Sequence, residues 1–208
     1  DDAPWASHRK EIKAVQIGSG ATSIGDCAFN GCTSLTSITI PEGVTSIGDD
    51  AFSDCSGLTS ITIPEGVTSI GEQTFYNCSS LTSITIPDSV TSIGNEACYG
   101  CSSLKGIYIS DIGAWCGIAF SSNPLSYAHD LYLNGELVTE LMIPEGVTSI
   151  GSFAFTGCTS LAGIVIPEGV TSIGVYAFSD CTSIESITIP ASMTSIGDYT
   201  FYNCTALK

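Results

Sequence analysis

Carboxylates, thiols and two histidines are the reactive groups in this chain, and their spacing limits the chemistry open to them. Glu42, Glu65, Asp88, Asp111, Glu145 and Glu168 occupy one place in a repeated phrase, directly after a proline or the residue standing in for it. If the phrases stack at the ~5 Å spacing of neighbouring strands, these residues form an acidic edge. Each like-charged neighbour pair costs under ~1 kcal/mol in water, so a solvated edge that aids solubility is the plain reading. The sharper readings are weak divalent-cation binding or docking of a basic partner. A glycan hydrolase would need two carboxylates in unlike environments. A repeated slot makes them alike, which places that reading last.

Seven of the ten cysteines fall on another slot: Cys32, Cys55, Cys78, Cys101, Cys158, Cys181 and Cys204. In stacked units their Cβ vectors point the same way. A disulfide or a tetrahedral zinc site needs vectors that converge. Buried, reduced thiols acting as small hydrophobes are therefore expected. Cys98-Tyr99-Gly100-Cys101 is formally C-x-x-C, but Cys98 stands in a phenylalanine slot and Cys101 belongs to the thiol column. His8 and His129 are far apart, leaving no H-x-x-x-H pair, and the chain has no G-x-S-x-G, P-loop or G-x-G-x-x-G motif. No enzyme, cofactor or metal centre is expected.

The period that places these groups is read from the prolines: Pro41, Pro64 and Pro87, then Pro144, Pro167 and Pro190, each set 23 residues apart. Gly18 and Ser110 fill the same slot, and the step from Ser110 to Pro144 is longer by 11 residues. A period in this range signals a solenoid. Within a unit, Ile38 and Ile40 alternate as on one face of a strand, and Pro41 ends it. Glu42-Gly43 reads as a turn and Val44–Ile47 as a second extended piece. Ala51-Phe52 reads as one helical or 3-10 turn. A single unit cannot bury its apolar face, whereas stacking makes that face a continuous interior. Phe29, Phe52, Phe75, Cys98, Phe155, Phe178 and Phe201 then form one internal column. Leu35, Leu58, Leu81, Leu104, Val138, Leu161, Ile184 and Leu207 form another.

The phrase L-T-S-I-T-I-P-E-G-V-T-S-I-G-D-D-A-F-S-D-C, from Leu35 to Cys55, resembles the BspA-type leucine-rich repeat. Its slots Leu35, Ile38, Ile40 and Val44 follow the general L-x-x-L-x-L-x-x-x-x-L pattern, and the resemblance covers about residues 12–208. It implies an α/β leucine-rich-repeat solenoid: a right-handed horseshoe of about eight coils, with a parallel sheet on the concave side. Short parallel strands and 3-10 or one-turn helices would make up the coils. It further implies a secreted or cell-surface protein of anaerobic bacteria or protozoa, often associated with adhesion.

With 43% hydrophobic and 12% charged residues over 208 positions, the chain can bury a core as one domain. No apolar run approaches the ~18 residues of a membrane span. The net charge of −16 argues against nucleic acid, whose phosphates need Lys and Arg. Residues 1–14 read as an N-terminal cap, a short helix from Pro4 to Glu11 with Asp1 and Asp2 near its start and Trp5 and Ile12 over the first coil. Residues 15–208 read as the solenoid, interrupted by an irregular 34-residue unit at about 105–143. There Asn134-Gly135 signals a hairpin, and Ile112–Cys116 a short helix with Trp115 inward. The chain stops where another strand is due and reads as a fragment of a longer, monomeric protein.

The outward strand positions repeat as Ser and Thr (Ser37/Thr39, Ser60/Thr62, Ser83/Thr85, Ser186/Thr188) and break at Gly106/Tyr108, Glu140/Met142 and Gly163/Val165. Further aromatics recur at Tyr76, Tyr99 and Tyr202, and at Phe153, Tyr176 and Tyr199. The expected function is a non-enzymatic extracellular or cell-surface binding or adhesion module for a protein or glycan partner. A structural spacer presenting other domains is the alternative. A contact surface is sought first where repetition stops, at Tyr108, Asp111, Trp115, Tyr127, His129 and Tyr132.

Overall fold

The computed structural model describes residues 4–208; Asp1 and Asp2 lie outside the described residues. Regular coils share one construction, shown by the second. Ser37–Thr39 is a strand with Ile38 turned inward and its neighbours outward. Pro41, lacking an N–H for the ladder, lies beyond its end, and the Val44 amide closes the turn on the Pro41 carbonyl at 3.1 Å. Ser46–Ile47 is the second strand, with Ile47 buried. Successive coils pair in parallel, one repeat apart in register, as in Ser46↔Ser69, Ile70↔Ile93 and Ile84↔Ile107. Thr45 and Thr68 tie the stack further, each hydroxyl donating to the carbonyl of the equivalent Thr one coil back at 3.2 Å. Gly71 is small for a reason: a β-carbon there would lie 2.6 Å from the Asp49 amide nitrogen.

The third side of each coil corrects one expectation. Ala51-Phe52 does not wind into a helical turn, because Asp50 and Asp54 take left-handed φ values of 54° and 57°. The cause is hydrogen bonding between coils. The amides of Asp50, Phe52 and Asp54 donate to the carbonyls of Glu72, Thr74 and Tyr76 in the next coil, each at 2.8 Å. A helical turn would turn its donors onto its own chain and leave the neighbouring coil's carbonyls without partners. One left-handed slot is filled by residues that tolerate it: Gly31, Asp54, Asn77, Gly100, Gly157, Asp180 and Asn203. The other holds Cys27, Asp50, Gln73, Glu96, Phe153, Tyr176 and Tyr199. Among the described residues, helix is confined to Ala6–Glu11 (3-10), Ile112–Cys116 and Leu125–Ala128. None of these is long and apolar enough to cross a membrane.

The interior is the set of stacked columns that the repeat implies. Phe29, Phe52 and Phe75 stack with ring centroids 5.5 and 5.7 Å apart and planes within 6°. Phe155, Phe178 and Phe201 continue the motif beyond the irregular unit at 5.3 and 5.8 Å. At the start, Trp5 lies on Phe29 at 5.5 Å and donates its indole N–H to the Ala28 carbonyl. Each buried ring is worth roughly 1.5–3 kcal/mol of transfer free energy. All ten cysteines are free thiols.

The irregular unit keeps one coil and adds a hairpin. Gly106–Ile109 and Ala119–Phe120 are its two ladder strands, joined through the helix Ile112–Cys116. Leu131–Leu133 then adds in parallel to Gly106–Ile109, and Glu136–Leu137 folds back antiparallel on it around Asn134-Gly135. Asn134 and Gly135 have φ of 51° and 88°, as a two-residue hairpin turn requires. Both ladders break here, into blocks on either side of the unit. Asn123 bridges the break, donating from its amide nitrogen to the carbonyls of Phe153 and Ala154 at 2.9 and 2.8 Å. Trp115 donates its indole N–H to the same Ala154 carbonyl at 2.7 Å.

Candidate surface on the strand face

The residues singled out from the irregular unit do not converge on one site. Trp115 is only 1% exposed and packs on Phe120 with centroids 5.0 Å apart. It is part of the interior and is withdrawn as a contact residue, because an indole facing inward to bond Ala154 has no surface to offer. Asp111 is exposed on the proline edge, where its carboxylate caps the helix Ile112–Cys116 by accepting from the Ala114 amide at 2.8 Å. Tyr127 belongs to the turn side, edge-on to Tyr99, which stacks on Tyr76 at 5.2 Å. Burial pushes the Tyr127 hydroxyl pKa up, with Glu96 adding to the shift. His129 is exposed on that same side, with φ 64°. It lines two shallow recesses of about 270 and 200 Å³ flanking the helix Leu125–Ala128.

Tyr108 and Tyr132 do meet. They are register partners on adjacent parallel strands, and their rings stack at 4.6 Å with planes 9° apart. Gly106 makes this possible, since a β-carbon there would come 2.6 Å from Tyr132 Cε2. The stack projects from the outward strand face, in the column where earlier coils carry Thr62 and Thr85. Leu137, the register partner of Tyr132 in the hairpin, is 41% exposed. In the next block of ladder the same slot, two residues before the proline, holds Met142 and Val165, themselves register partners and 69% and 53% exposed. Large apolar side chains open to solvent at successive outward positions are the exception on a soluble protein and mark contact surfaces. Sequence reasoning missed Met142, Val165 and Leu137 as candidates. The available signal was the row where the Ser/Thr comb breaks, which marks both an interruption and a replacement.

The acidic edge is a row of exposed carboxylates at Glu42, Glu65, Asp88, Asp111, Glu145 and Glu168. Several already have protein partners. Asp88 accepts from the Ser110 hydroxyl at 2.8 Å. Glu168 accepts from the amides of Ala191 and Ser192 at 3.1 Å each, which lowers its pKa. Among the described residues no three His, Cys, Asp or Glu side chains gather so as to hold a metal ion. A recess of about 570 Å³ lies at the first coil and is lined by interior residues such as Trp5, Ile12, Val15, Ile24 and Phe29. It is an opening in the core without convergent polar groups.

Stacked parallel strands, a continuous apolar interior and one turn-rich side define a leucine-rich-repeat solenoid of about eight coils. The family model described as the BspA type leucine rich repeat region matches residues 6–125 and 129–208 in six copies, and the chain belongs to that family. Solved structures share the fold. A leucine-rich repeat protein from Eubacterium ventriosum is 32% identical with a TM-score of 0.59, the match covering 100% of this chain and 62% of that one. A leucine rich cell surface protein from Faecalibacterium prausnitzii is 30% identical with a TM-score of 0.55, covering 95% of this chain and 46% of the other. The leucine rich repeat protein of T. pallidum is 27% identical with a TM-score of 0.52, covering 94% and 78%. This chain thus spans under two thirds of the first of these relatives. No curated protein matches it.

Proposed function

We propose that this solenoid is a non-enzymatic binding or adhesion module working at the cell surface or outside the cell, and that it meets its partner through the strand face. The observation that carries the reading is the Tyr108–Tyr132 stack over Gly106, followed along the face by exposed Met142 and Val165. Tyrosine and methionine are enriched in the cores of protein contacts. A spacer that only holds other domains apart has no use for such residues in a column that elsewhere carries polar side chains, at Gln16, Thr39, Thr62, Thr85 and Thr188. The surface setting is supported by family membership and by the cell-surface description of the Faecalibacterium prausnitzii protein.

The test compares the immobilised wild-type chain with Tyr108→Ser/Met142→Ser on mucosal or matrix extracts. The reading expects a component retained by the wild type, lost by this variant and kept by a Thr39→Ser/Thr62→Ser control on the same face. Retention of nothing by the wild type would favour the spacer, and retention of the same component by all three would overturn the strand face as the contact surface.

A further inference from the structure

We infer that the strand-face patch around Tyr108, Tyr132, Met142 and Val165 takes a cationic polypeptide segment, one that carries Lys or Arg among apolar residues; this rests on the proposed binding function. Four observations lead there. First, the outward slot is apolar on both sides of the ladder break, in the Tyr108–Tyr132 stack and in Met142 and Val165, which are more than half exposed and paired in register. Second, carboxylates border it. Asp130 immediately precedes the strand that carries Tyr132 and stands two positions from that tyrosine, on the same side of the alternation. Glu140 lies in the strand of Met142, with its carboxylate folded over Gly163 in the next.

Third, the field has one sign. From Gly106 to Leu207 the sequence holds no Lys or Arg, against the nine carboxylates Asp111, Asp130, Glu136, Glu140, Glu145, Glu168, Asp180, Glu185 and Asp198. Lys105, at the start of the unit, is the basic residue nearest to it in sequence. An anionic partner would meet uncompensated repulsion across this half of the chain. A cationic one would be steered to it. Fourth, the two tyrosines turn one ring face each toward the other at 4.6 Å. A sugar stacks on an open ring face, so this pair offers a glycan less than its ring count suggests. Ring edges, hydroxyls and the Met142 thioether instead suit apolar side chains of a peptide. The partner is therefore read as polypeptide, with the apolar centre supplying contact and the carboxylates supplying sign.

The probe is a short fluorescent peptide of alternating Lys and Leu, titrated with the full chain and followed by anisotropy. A Glu/Leu peptide and a neutral oligosaccharide are run alongside. The proposal expects binding of the Lys/Leu peptide alone, weakened about tenfold by raising salt from ~0.05 to ~0.5 M. It expects a loss of about tenfold or more in Tyr108→Ser/Met142→Ser, which leaves the charge unchanged. Asp130→Asn/Glu140→Gln should weaken binding more than Glu42→Gln/Glu65→Gln, which removes the same charge from the proline edge. Equal losses in those two variants would mean that net charge alone attracts the peptide, and would overturn the site. Binding of the Glu/Leu peptide or the oligosaccharide, lost in Tyr108→Ser/Met142→Ser, would overturn the cationic class while leaving the binding module standing. No binding by any probe would overturn the inference as well. Melting curves of each variant keep a folding defect from passing as a binding defect.

Discussion

The thiol of Cys55 donates to the Phe29 carbonyl oxygen at 3.1 Å, reaching back into the preceding coil, and the same bond recurs from Cys78 to Phe52, Cys101 to Phe75, Cys181 to Phe155 and Cys204 to Phe178. Five of the seven cysteines of the column are thus weak donors, each meeting a carbonyl that would otherwise face an apolar interior. A side chain with a small sulfur and one proton suits that place better than alanine, which has no donor. A disulfide would consume the protons that make these bonds.

An alkaline limit to stability follows. Burial pushes the Cys55 and Cys116 thiols from the ordinary 9.0 up to about 12 and Cys158 to about 11, and raises Cys78 and Cys181 as well. A thiol whose pKa is raised on folding contributes its full stability below the unfolded value. That stability drains away as the pH climbs from there to the folded value. Each such thiol removes about 1.4 kcal/mol per pH unit across that window. The melting temperature should be nearly level from pH 7 to about 8.5 and fall steeply above about 9. With five Lys and Arg in the chain, lysine titration adds little to the same window. Melting curves from pH 7 to 11 check this, and a flat profile to about pH 10.5 would contradict it.

The phenylalanine column sets the largest single packing effect. Phe75 is 1% exposed, with Phe52 stacked on it at 5.7 Å. Phe75→Ala should cost about 3–5 kcal/mol, from lost transfer energy and a cavity that stacked coils cannot collapse around. Phe201 is half-buried, stacked on Phe178 at 5.8 Å, and its alanine variant should cost clearly less. Urea unfolding of the two variants checks the order. Equal costs would mean that the column is not a shared interior.

The interior was legible because repetition converts sequence position into place. Once Phe52 and Phe75 are known to be one repeat apart, stacking follows, and so do the inward Ile38 and outward Thr39. Two things were not legible. The left-handed residues hid behind side chains that give no warning, such as Gln73 and Tyr176, because the demand comes from amides bonding to the next coil. The contact candidates scattered because the irregular unit sends neighbouring residues to different sides. Tyr127 and Tyr132 are five apart, yet one packs against Tyr99 and the other against Tyr108. Sequence distance carries place only while the period holds.

A stabilising substitution follows from the left-handed slot. Cys27 sits there with φ 54° and is half-buried, and its amide bonds the Asp49 carbonyl at 2.8 Å. The left-handed region costs an ordinary residue roughly 1–2 kcal/mol, and asparagine tolerates it better. Cys27→Asn should keep the backbone bond and raise stability by up to about 1 kcal/mol, seen as a higher melting temperature. The same change at Cys55, buried and bonded to Phe29, should lower it. A drop for Cys27→Asn would show that its thiol packs usefully where it stands.

Asn123 offers the sharpest test of how the two blocks of ladder are held together. It is 1% exposed; its amide nitrogen donates to Phe153 and Ala154, and its oxygen accepts from the Leu125 amide at 2.7 Å. Asn123→Ala leaves the Phe153 carbonyl and the Leu125 amide without this partner, at about 1–3 kcal/mol for each buried group. Asn123→Asp keeps the shape but turns a carboxylate toward two carbonyls, so at pH 7 it should be the worse of the pair. Its pKa in the fold should rise, since burial and those carbonyls favour the protonated form. The stability of Asn123→Asp should therefore recover relative to Asn123→Ala as the pH falls toward 5. If Asn123 joins the blocks, these variants should also split the urea transition. The emission of buried Trp115, beside the junction, would then change before the far-ultraviolet signal of the ladders. A single coincident transition, with both variants losing under about 1 kcal/mol, would show that the apolar interior alone carries the junction.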